Sequence, residues 1–319
     1  MKCIALIGPT ASGKTALSIA LAKHYGGEIL SCDSMQIYRG MDIGTAKATQ
    51  GEQAEAPHHL IDILNPSTPF SAADYADAAM CVMRDVCARG SLPIFCGGTG
   101  LYLDAVRTLR HTGDAPAADP VLREKLQGEA ETEAGRVALW QRLHEIDPIA
   151  AEATHYNNTR RVIRALEVYY TTGKTKTDLD KAASVENPEV QMLTIGLRFE
   201  NRAILNARIE RRVEQMLENG LLDETKRLLE AGMLEEGYTA AAAIGYKELL
   251  GYLRGECTLA DATEALKTAS RRYAKRQMTY FSRDKAILWL TVDKDGAIRD
   301  TDSLLKEAMG YIDPFLTQS

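Results

Sequence analysis

The sequence of 319 residues lacks the features that mark several classes of protein. Its six cysteines include no CxxC pair, which argues against a zinc module or a disulfide scaffold and suits free thiols in a reducing compartment. No apolar run reaches the roughly 18 residues that a membrane-spanning helix needs. The apolar stretch at residues 3–7 is too short for a signal-peptide core. We therefore expect a cytoplasmic protein with no membrane partner.

An excess of positive charge is also missing. The net charge of −6 argues against a uniformly basic coat for nucleic acid, although local basic patches can still bind. The composition, 45% hydrophobic and 26% charged, is that of an ordinary globular protein. Because the chain exceeds one typical domain in length, we expect a large core with an additional lobe. We expect it to be monomeric.

Short apolar runs alternate with helical patterns along most of the chain. Residues 3–7 precede a glycine-rich loop and a helical pattern at residues 15–24, which predicts a strand, a loop and a helix. Further predicted strands lie at residues 28–31, 60–64, 93–96, 191–198 and 287–291. This alternation predicts an α/β fold with a mainly parallel sheet flanked by helices, and the glycine-rich loop after its first strand makes the predicted fold P-loop NTPase-like.

Strand patterns disappear between about residues 111 and 189, where charged helix formers dominate. Turn-rich segments border this region, at residues 111–120 on entry and at residues 171–174 and 187–188 towards the exit. We therefore predict a helical insertion domain at residues 111–190, within a core made of residues 1–110 and 191–319.

The loop after the first predicted strand matches the phosphate-binding pattern GxxxxGK[ST]. This phosphate loop consists of Gly8, Pro9, Thr10, Ala11, Ser12, Gly13, Lys14 and Thr15. Backbone N–H groups in such a loop point at phosphate oxygens, and the positive end of the following helix assists them. Lys14 neutralises the terminal phosphate, and Thr15 offers its hydroxyl to a metal ion. The loop predicts a phosphate site with Mg²⁺ as the cofactor.

The loop alone leaves open whether the phosphates are consumed for energy or lost as a leaving group. A nucleotide-hydrolysing enzyme usually has an apolar strand that ends in a metal-directed Asp. Asp62 lies inside its predicted strand, and the strand at residues 93–96 runs into Gly97-Gly98-Thr99 without an acid. ATP hydrolysis therefore has little support, while nucleotide or ATP binding by a kinase remains an alternative.

Two further segments follow predicted strands at the edge where open α/β sheets bind ligands. Asp33 could accept a proton from a nucleophile there, or Asp33 or Ser34 could only cap the next turn. Thr99 could bind a phosphate or orient an amine, or cap a helix. Local spacing leaves these alternatives open. His58 and His59 point to opposite faces of a strand with no third ligand in view, so we predict no metal site there.

Cations cluster in three places. Residues 271–283, the basic segment, carry five cations and no acid. These cations span about 140° of one helical face, with Tyr273, Tyr280 and Phe281 between them, as in a polyanion track. The other clusters are Arg160, Arg161 and Arg164, and Arg208, Arg211 and Arg212. In the last cluster Glu210 and Glu214 could instead pair with the arginines. An RNA substrate is therefore a reasonable hypothesis.

Taken together, the motifs resemble those of the tRNA isopentenyltransferase family, the tRNA dimethylallyltransferases. The shared segments are residues 8–15, 33–38, 40–47, 57–59, 97–102, 164–167, 244–248 and 275–277. The resemblance implies transfer of a dimethylallyl group from dimethylallyl pyrophosphate to N6 of adenosine 37 in tRNA, with pyrophosphate as the leaving group. The nearest alternative is an adenylate isopentenyltransferase that acts on a free nucleotide. The helical insertion and the basic segment favour tRNA.

The resemblance also implies roles for individual residues. Asp33 is the expected base, and Thr99, Lys14 and Arg212 are expected to share the positioning of the amine and the stabilisation of the pyrophosphate. The expected contacts with the anticodon stem-loop are Asp33, Ser34, Met35, Gln36, Thr99, Asn158, Thr159, Arg160, Arg161, Arg164, Ile244, Gly245, Tyr246, Lys247, Arg272, Lys275, Arg276, Gln277 and Tyr280. Because some of these residues lie in the insertion domain, that domain is expected to contact tRNA.

Overall fold

The chain divides into two compact units. The computed structural model describes residues 1–108, 119–182, 185–235 and 237–318. One unit consists of Met1–Arg107 with Pro188–Ser319, and the other of Thr108–Asn187. None of the helices in the described ranges combines the length and the apolar character needed to span a bilayer.

A parallel sheet forms the centre of the first unit. Its strands are β1 (Lys2–Ile7), β2 (Gly27–Cys32), β3 (His58–His59), β4 (Leu92–Gly97), β5 (Gln191–Arg198) and β6 (Leu288–Thr291). They are ordered β3-β2-β4-β1-β5-β6, and every neighbouring pair is parallel. The predicted mainly parallel α/β sheet is confirmed. A separate antiparallel pair is formed by β7 (Asp293–Lys294) and β8 (Ala297–Ile298).

The helices of the described residues fall between and after these strands. In chain order they are α1 (Lys14–Tyr25), α2 (Gln50–Glu55), α3 (Ala72–Ala88), α4 (Gly100–Arg107), α5 (Pro120–Glu129), α6 (Glu133–Ile146), α7 (Pro148–Glu152), α8 (Thr159–Thr172), α9 (Lys176–Ala182), α10 (Arg202–Glu218), α11 (Leu221–Glu230), α12 (Tyr246–Leu253), α13 (Leu259–Phe281) and α14 (Thr301–Thr317).

Both faces of the sheet are covered by helices. Along β1, Cys3, Ala5 and Ile7 belong to a core that includes residues of α3 and α4. The alternate residues Ile4 and Leu6 belong to a second core with residues of α1 and α14. Burial on both faces explains why β1 is a continuous apolar run rather than an alternating one. The edge at the carboxyl ends of the strands is therefore where the fold can bind a ligand.

The predicted strand at residues 60–64 is wrong. The sheet strand in this region is β3, which ends before Leu60. Leu60 and Asp62 adopt positive φ angles of 61° and 55°, which an extended strand does not allow. The N–H groups of Ile63 and Leu64 donate to the Ile37 carbonyl at 2.9 and 3.0 Å. The apolar residues of this segment pack into two cores instead of forming a strand, one between the sheet and its helices and the other among α10 to α13.

Helices α10 to α13 pack around a third core of the first unit. Ile37, Tyr38 and Met41 from the chain after β2 are fully buried in it, together with Val213 of α10 and Leu249 of α12. This packing places α10 and α13 beside the edge of the sheet where β1 and β2 end. There Arg208 of α10 and Gln277 of α13 contact the phosphate loop.

The second unit is helical in its described residues and has a core of its own. Leu126, Leu139, Leu143, Val162 and Leu166 are almost fully buried and join α5, α6 and α8. A single antiparallel bridge joins Thr108 to Glu186 near the two ends of this unit.

Candidate active site

The phosphate loop connects β1 to α1. Gly13 has a φ of 93° and directly precedes α1, a conformation that favours glycine. The Lys14 ammonium donates to the carbonyls of Gly8 at 3.0 Å and Pro9 at 2.7 Å, so it lies over the loop. The Ser12 hydroxyl is buried and has no hydrogen-bond partner within the described residues. An ammonium, an unpaired hydroxyl and a helix N-terminus together make an anion site.

Two helices from the second half of the chain, α13 and α10, hold this loop in place. The Thr10 N–H donates to Gln277 Oε1 at 2.9 Å, and Gln277 Nε2 donates to the Gly98 carbonyl at 3.1 Å. Gln277 therefore joins the phosphate loop to the glycine turn after β4. From α10, Arg208 Nε donates to the Ala11 carbonyl at 2.8 Å.

Asp33 begins the turn after β2 and lies near two cations. Its Oδ1 accepts the Met35 N–H at 2.9 Å, so it does cap the turn. Burial raises the pKa of the Asp33 carboxyl, and the nearby Lys14 and Arg212 partly oppose that rise. The two alternatives for Asp33 are thus compatible, because a carboxylate that caps a turn can also face the site. A raised pKa makes Asp33 a stronger base than an exposed carboxylate.

Thr99 joins the glycine turn after β4 to the Asp33 turn. Its hydroxyl accepts the Ser34 N–H at 3.1 Å, and its own N–H donates to the Cys32 carbonyl at 3.1 Å. Burial raises the pKa of Tyr273 on α13, and the interaction of its side chain with Thr99 partly opposes that rise. The Thr99 carbonyl, rather than its hydroxyl, accepts the N–H of Tyr102 at the start of α4. Thr99 therefore fixes the Asp33 turn through Ser34.

A cavity of about 680 Å³ joins these elements. It is lined by Thr10 to Thr15 of the phosphate loop, Asp33 to Gln36, Gly44 to Ala46, Arg208, Arg211 and Arg212 of α10, Ala242 to Ile244, Lys247, and Tyr273, Arg276 and Gln277 of α13, among others. Its volume lies in the range of small-molecule sites. An anion site and a carboxyl with a raised pKa therefore face one space.

The acids of α10 pair with α13 rather than with the arginines of their own helix. Glu210 accepts from Arg271 at 2.6 Å, and Glu214 accepts from Lys267 at 2.8 Å. Arg212 lies beside Asp33, and burial lowers the pKa of its guanidinium. Arg212 also lines the cavity, so this buried cation faces the same space as the phosphate loop.

Comparison with known proteins shows which family has this arrangement. The profile of the IPP transferase family matches residues 36–284, and that of isopentenyl transferase matches residues 1–68. The tRNA dimethylallyltransferases of Caldanaerobacter subterraneus subsp. tengcongensis and Shouchella clausii are 44% and 47% identical to this chain over 294 residues, which is 92% of this chain and 92% of each relative.

The chain belongs to the IPP transferase family.

Solved structures of related proteins have the same fold. The tRNA isopentenylpyrophosphate transferase of Bacillus halodurans has a TM-score of 0.70 at 43% identity, with 98% of this chain and 96% of that chain covered. A eukaryotic dimethylallyltransferase acting on tRNA has a TM-score of 0.78 at 30% identity, with 99% and 79% covered.

In this IPP transferase, the structure corrects part of the predicted RNA-binding set. Tyr246 is fully buried and donates to Glu224 at 2.6 Å, so its side chain is engaged within the protein, and the Gly245 backbone is buried as well. Ile244 and Lys247, on either side of them, do line the cavity. The segment therefore contributes the residues on either side of Gly245 and Tyr246 to the cavity wall.

Two predicted glutamine contacts are engaged within the protein. Both Oε1 and Nε2 of the Gln277 amide are used to join the phosphate loop to the glycine turn. Gln36 accepts from the Ser31 hydroxyl at 2.8 Å and donates to the Thr45 and Ala46 carbonyls at 3.2 Å each. Both side chains line the cavity, and these hydrogen bonds hold its wall in place.

The basic segment is less open than its sequence suggests. Arg271 is paired with Glu210, and Arg283 lies beyond the end of α13. Tyr280 donates to Asp104, and a side chain at Gly100 would overlap its ring. Arg272, Lys275 and Arg276 remain exposed, and the Arg276 guanidinium lies 5.6 Å from the Tyr273 ring centroid. The predicted five-cation face is thus reduced to three exposed cations on the helix.

The cluster in the second unit lies at the start of α8. Asn158 precedes the helix, Thr159 is its first residue, and Arg160 and Arg161 are exposed on the first turn. Arg164 and Arg123 both donate to Glu167, at 3.1 and 2.8 Å. Glu167 is only 1% exposed.

Sequence reasoning missed three residues that shape these sites. Arg208 was considered only as part of a charge cluster, whereas it holds the phosphate loop. Arg123 and Glu224 were not identified at all. Their partners lie 44 residues away for Arg123 and about 180 residues away for Glu224. No local sequence pattern indicates Arg123 or Glu224, because these partners are distant in the chain.

Proposed function

We propose that this protein transfers the dimethylallyl group of dimethylallyl pyrophosphate to N6 of adenosine 37 in tRNA. The observation that carries the proposal is the common cavity of the phosphate loop and Asp33. The relatives named above are tRNA dimethylallyltransferases, and one related structure is of an enzyme acting on tRNA. The phosphate loop accordingly binds a pyrophosphate that leaves, rather than one hydrolysed for energy.

The chemistry needs a base and an anion site on opposite sides of the reacting carbon. The N6 nitrogen forms a bond to C1 of the dimethylallyl group while the bond from C1 to the pyrophosphate oxygen breaks. The Asp33 carboxylate takes the N6 proton, which its raised pKa favours. Lys14, Arg212 and the loop N–H groups stabilise the charge that develops on the departing pyrophosphate.

The loop suits a magnesium-bound pyrophosphate. Within the described residues, no cluster of three or more His, Cys, Asp and Glu side chains could hold a metal ion. Mg²⁺ often uses one or two protein groups and substrate phosphates. The Thr15 hydroxyl would hold the ion together with the pyrophosphate, and the ion would neutralise charge on the leaving group. Thr15 lines the cavity, and the nearby Ser12 hydroxyl has no hydrogen-bond partner among the residues that the structure describes, which fits a bound phosphate.

The RNA must present a base that is normally stacked. Adenosine 37 would leave the anticodon loop and enter the cavity, at a cost of a few kcal/mol that contacts with the RNA offset. Arg272, Lys275 and Arg276 are exposed for phosphate contacts, as are Arg160 and Arg161 of the second unit. Such contacts would make binding strongly dependent on salt.

The proposal is tested by incubating the purified protein with Mg²⁺, labelled dimethylallyl pyrophosphate and unmodified tRNA, followed by nucleoside analysis. Label on N6 of adenosine 37 is the expected result, and a tRNA with guanosine at position 37 is the matched control. Label on AMP in a parallel incubation, with none on tRNA, would make the protein an adenylate isopentenyltransferase. Phosphate transfer from ATP without prenyl transfer would instead support a kinase.

A further inference from the structure

Glu224 of α11 is a buried carboxylate that the proposed chemistry does not use. It is only 3% exposed. Its Oε1 accepts the N–H of Ile43 at 3.0 Å and of Gly44 at 3.1 Å, and the Tyr246 hydroxyl at 2.6 Å. Its Oε2 accepts the N–H of Asp42 at 3.1 Å and of Ile43 at 3.0 Å. Consecutive backbone N–H groups thus converge on one anion, as in an anion-binding nest.

Only an ionised carboxylate satisfies this arrangement. Every group around Glu224 that contacts its oxygens is a donor, and both oxygens receive at least two donors. A glutamine in the same position would keep one oxygen and turn an NH₂ group towards N–H or O–H donors. Buried donors left without an acceptor are costly, so the loop would have to move.

The two segments that Glu224 joins both line the cavity. Gly44 to Ala46 and the pair Ile244 and Lys247 belong to its wall. Gly44 packs directly on Tyr246, since a Cβ at this glycine would lie 2.5 Å from the tyrosine ring. The carbonyls of Thr45 and Ala46 accept from Gln36, which belongs to the same turn as Asp33. Contacts therefore lead from Glu224 to the wall near the base.

We infer that Glu224 is a positioning residue, which sets the shape of the cavity wall that receives the target nucleotide. The inference rests on the proposed function. None of the Glu224 hydrogen bonds given above involves the phosphate loop, so binding of the prenyl pyrophosphate should be spared. A wall that is no longer preorganised would weaken binding of the RNA, because part of the binding energy would be used to order it.

The test compares Glu224→Gln with Glu230→Gln in the full-length protein. Glu230 lies on the same helix, is exposed, and undergoes the same chemical change. For Glu224→Gln, we expect the KM for tRNA to rise by roughly five- to tenfold, with kcat and the KM for dimethylallyl pyrophosphate within about twofold of wild type. Glu230→Gln should match wild type in all three constants.

Two outcomes would overturn the inference. One is an unchanged KM for tRNA in Glu224→Gln, with a loss of activity that only matches the loss of folded protein. The other is an equal rise in the KM for both substrates. If Glu224→Gln does not fold, the Tyr246→Phe variant tests the inference, because this substitution removes one hydrogen bond to Glu224 and keeps the ring over Gly44. The KM for tRNA should then rise about twofold, and an unchanged value overturns the inference. Absence of prenyl transfer by the wild type contradicts the proposed function instead.

Discussion

The phosphate loop and the basic segment both place a cation at the wall of the same cavity, Lys14 from the first and Arg276 from the second. Lys14 is held by carbonyls five and six residues before it. In the basic segment, Arg271 is held by Glu210, which lies 61 residues earlier on α10. A local motif therefore keeps its charge available by its own geometry, whereas a charged helix keeps only the cations that its tertiary neighbours leave unpaired.

The phosphate loop and the basic segment should differ most in whether they control the rate of the reaction or the binding of RNA. Residues at the sheet edge around the phosphate loop should affect the rate of prenyl transfer, and exposed residues of the basic segment should affect only the affinity for RNA. The following substitutions test that division in decreasing order of expected effect.

Asp33→Asn should have the largest effect. The amide retains the shape of the side chain but cannot accept the N6 proton, so kcat should fall by about 10² to 10⁴. Initial rates at saturating tRNA and dimethylallyl pyrophosphate measure this, with the exposed Asp223→Asn on α11 as the control. Full turnover by Asp33→Asn would remove Asp33 as the base.

Lys14→Ala should reduce kcat/KM for dimethylallyl pyrophosphate by about 100-fold, because it removes a charge that stabilises the leaving pyrophosphate. Lys23→Ala on the same helix is the control, since its partner Glu55 is exposed and distant from the loop in sequence. The KM for tRNA should stay close to wild type. A drop confined to tRNA binding would contradict the assignment of the loop to the pyrophosphate.

The pH profile should report Lys14 directly. Burial lowers the pKa of Lys14 to about 8, so the ammonium is charged below that pH and loses its proton above it. We expect kcat/KM for dimethylallyl pyrophosphate to fall above pH 8, by about tenfold for each further unit. In Lys14→Arg the group stays charged, so any remaining activity should lack this decline. A wild-type profile that is flat to pH 10 would contradict the prediction.

The smallest effects should come from the basic segment. Arg276→Ala should weaken tRNA binding several-fold and lower the slope of log affinity against log salt by about 1, because one phosphate contact is lost. Arg271→Ala should leave both almost unchanged, because Arg271 already neutralises Glu210. Titrations of labelled tRNA at several salt concentrations compare the two. Equal losses from both variants would show that the pairing of Arg271 does not withdraw it from RNA.

The fold was predictable where one strand is followed by one local motif. The strand at residues 191–198 has the predicted bounds, β2 and β4 are one residue longer than predicted at each end, and β1 and β6 differ by one residue at the first end only. The segment at residues 60–64 was not predictable from its apolar pattern, because burial against helices and burial in a sheet give the same pattern. The positive φ angles of Leu60 and Asp62 in the structure exclude the strand.

The site was predictable to the extent that its groups follow strand ends. Asp33, Thr99 and the phosphate loop come together because parallel strands end at one edge. Whether a polar residue faces a ligand or braces the protein depended on partners elsewhere in the chain. Tyr246 turns inward to Glu224, and Gln277 spans two loops.

The sequence by itself determined the α/β class, the phosphate loop and the segment that contains Asp33, because strands, helices and glycine-rich loops follow from short local patterns. The tertiary structure alone decided which charges remain exposed and which polar groups brace the wall. Those outcomes depend on the contacts of Arg271, Gln277 and Glu224 with residues more than 60 positions away. A buried polar group must be paired wherever its partner lies in the chain, so no local pattern can reveal its role.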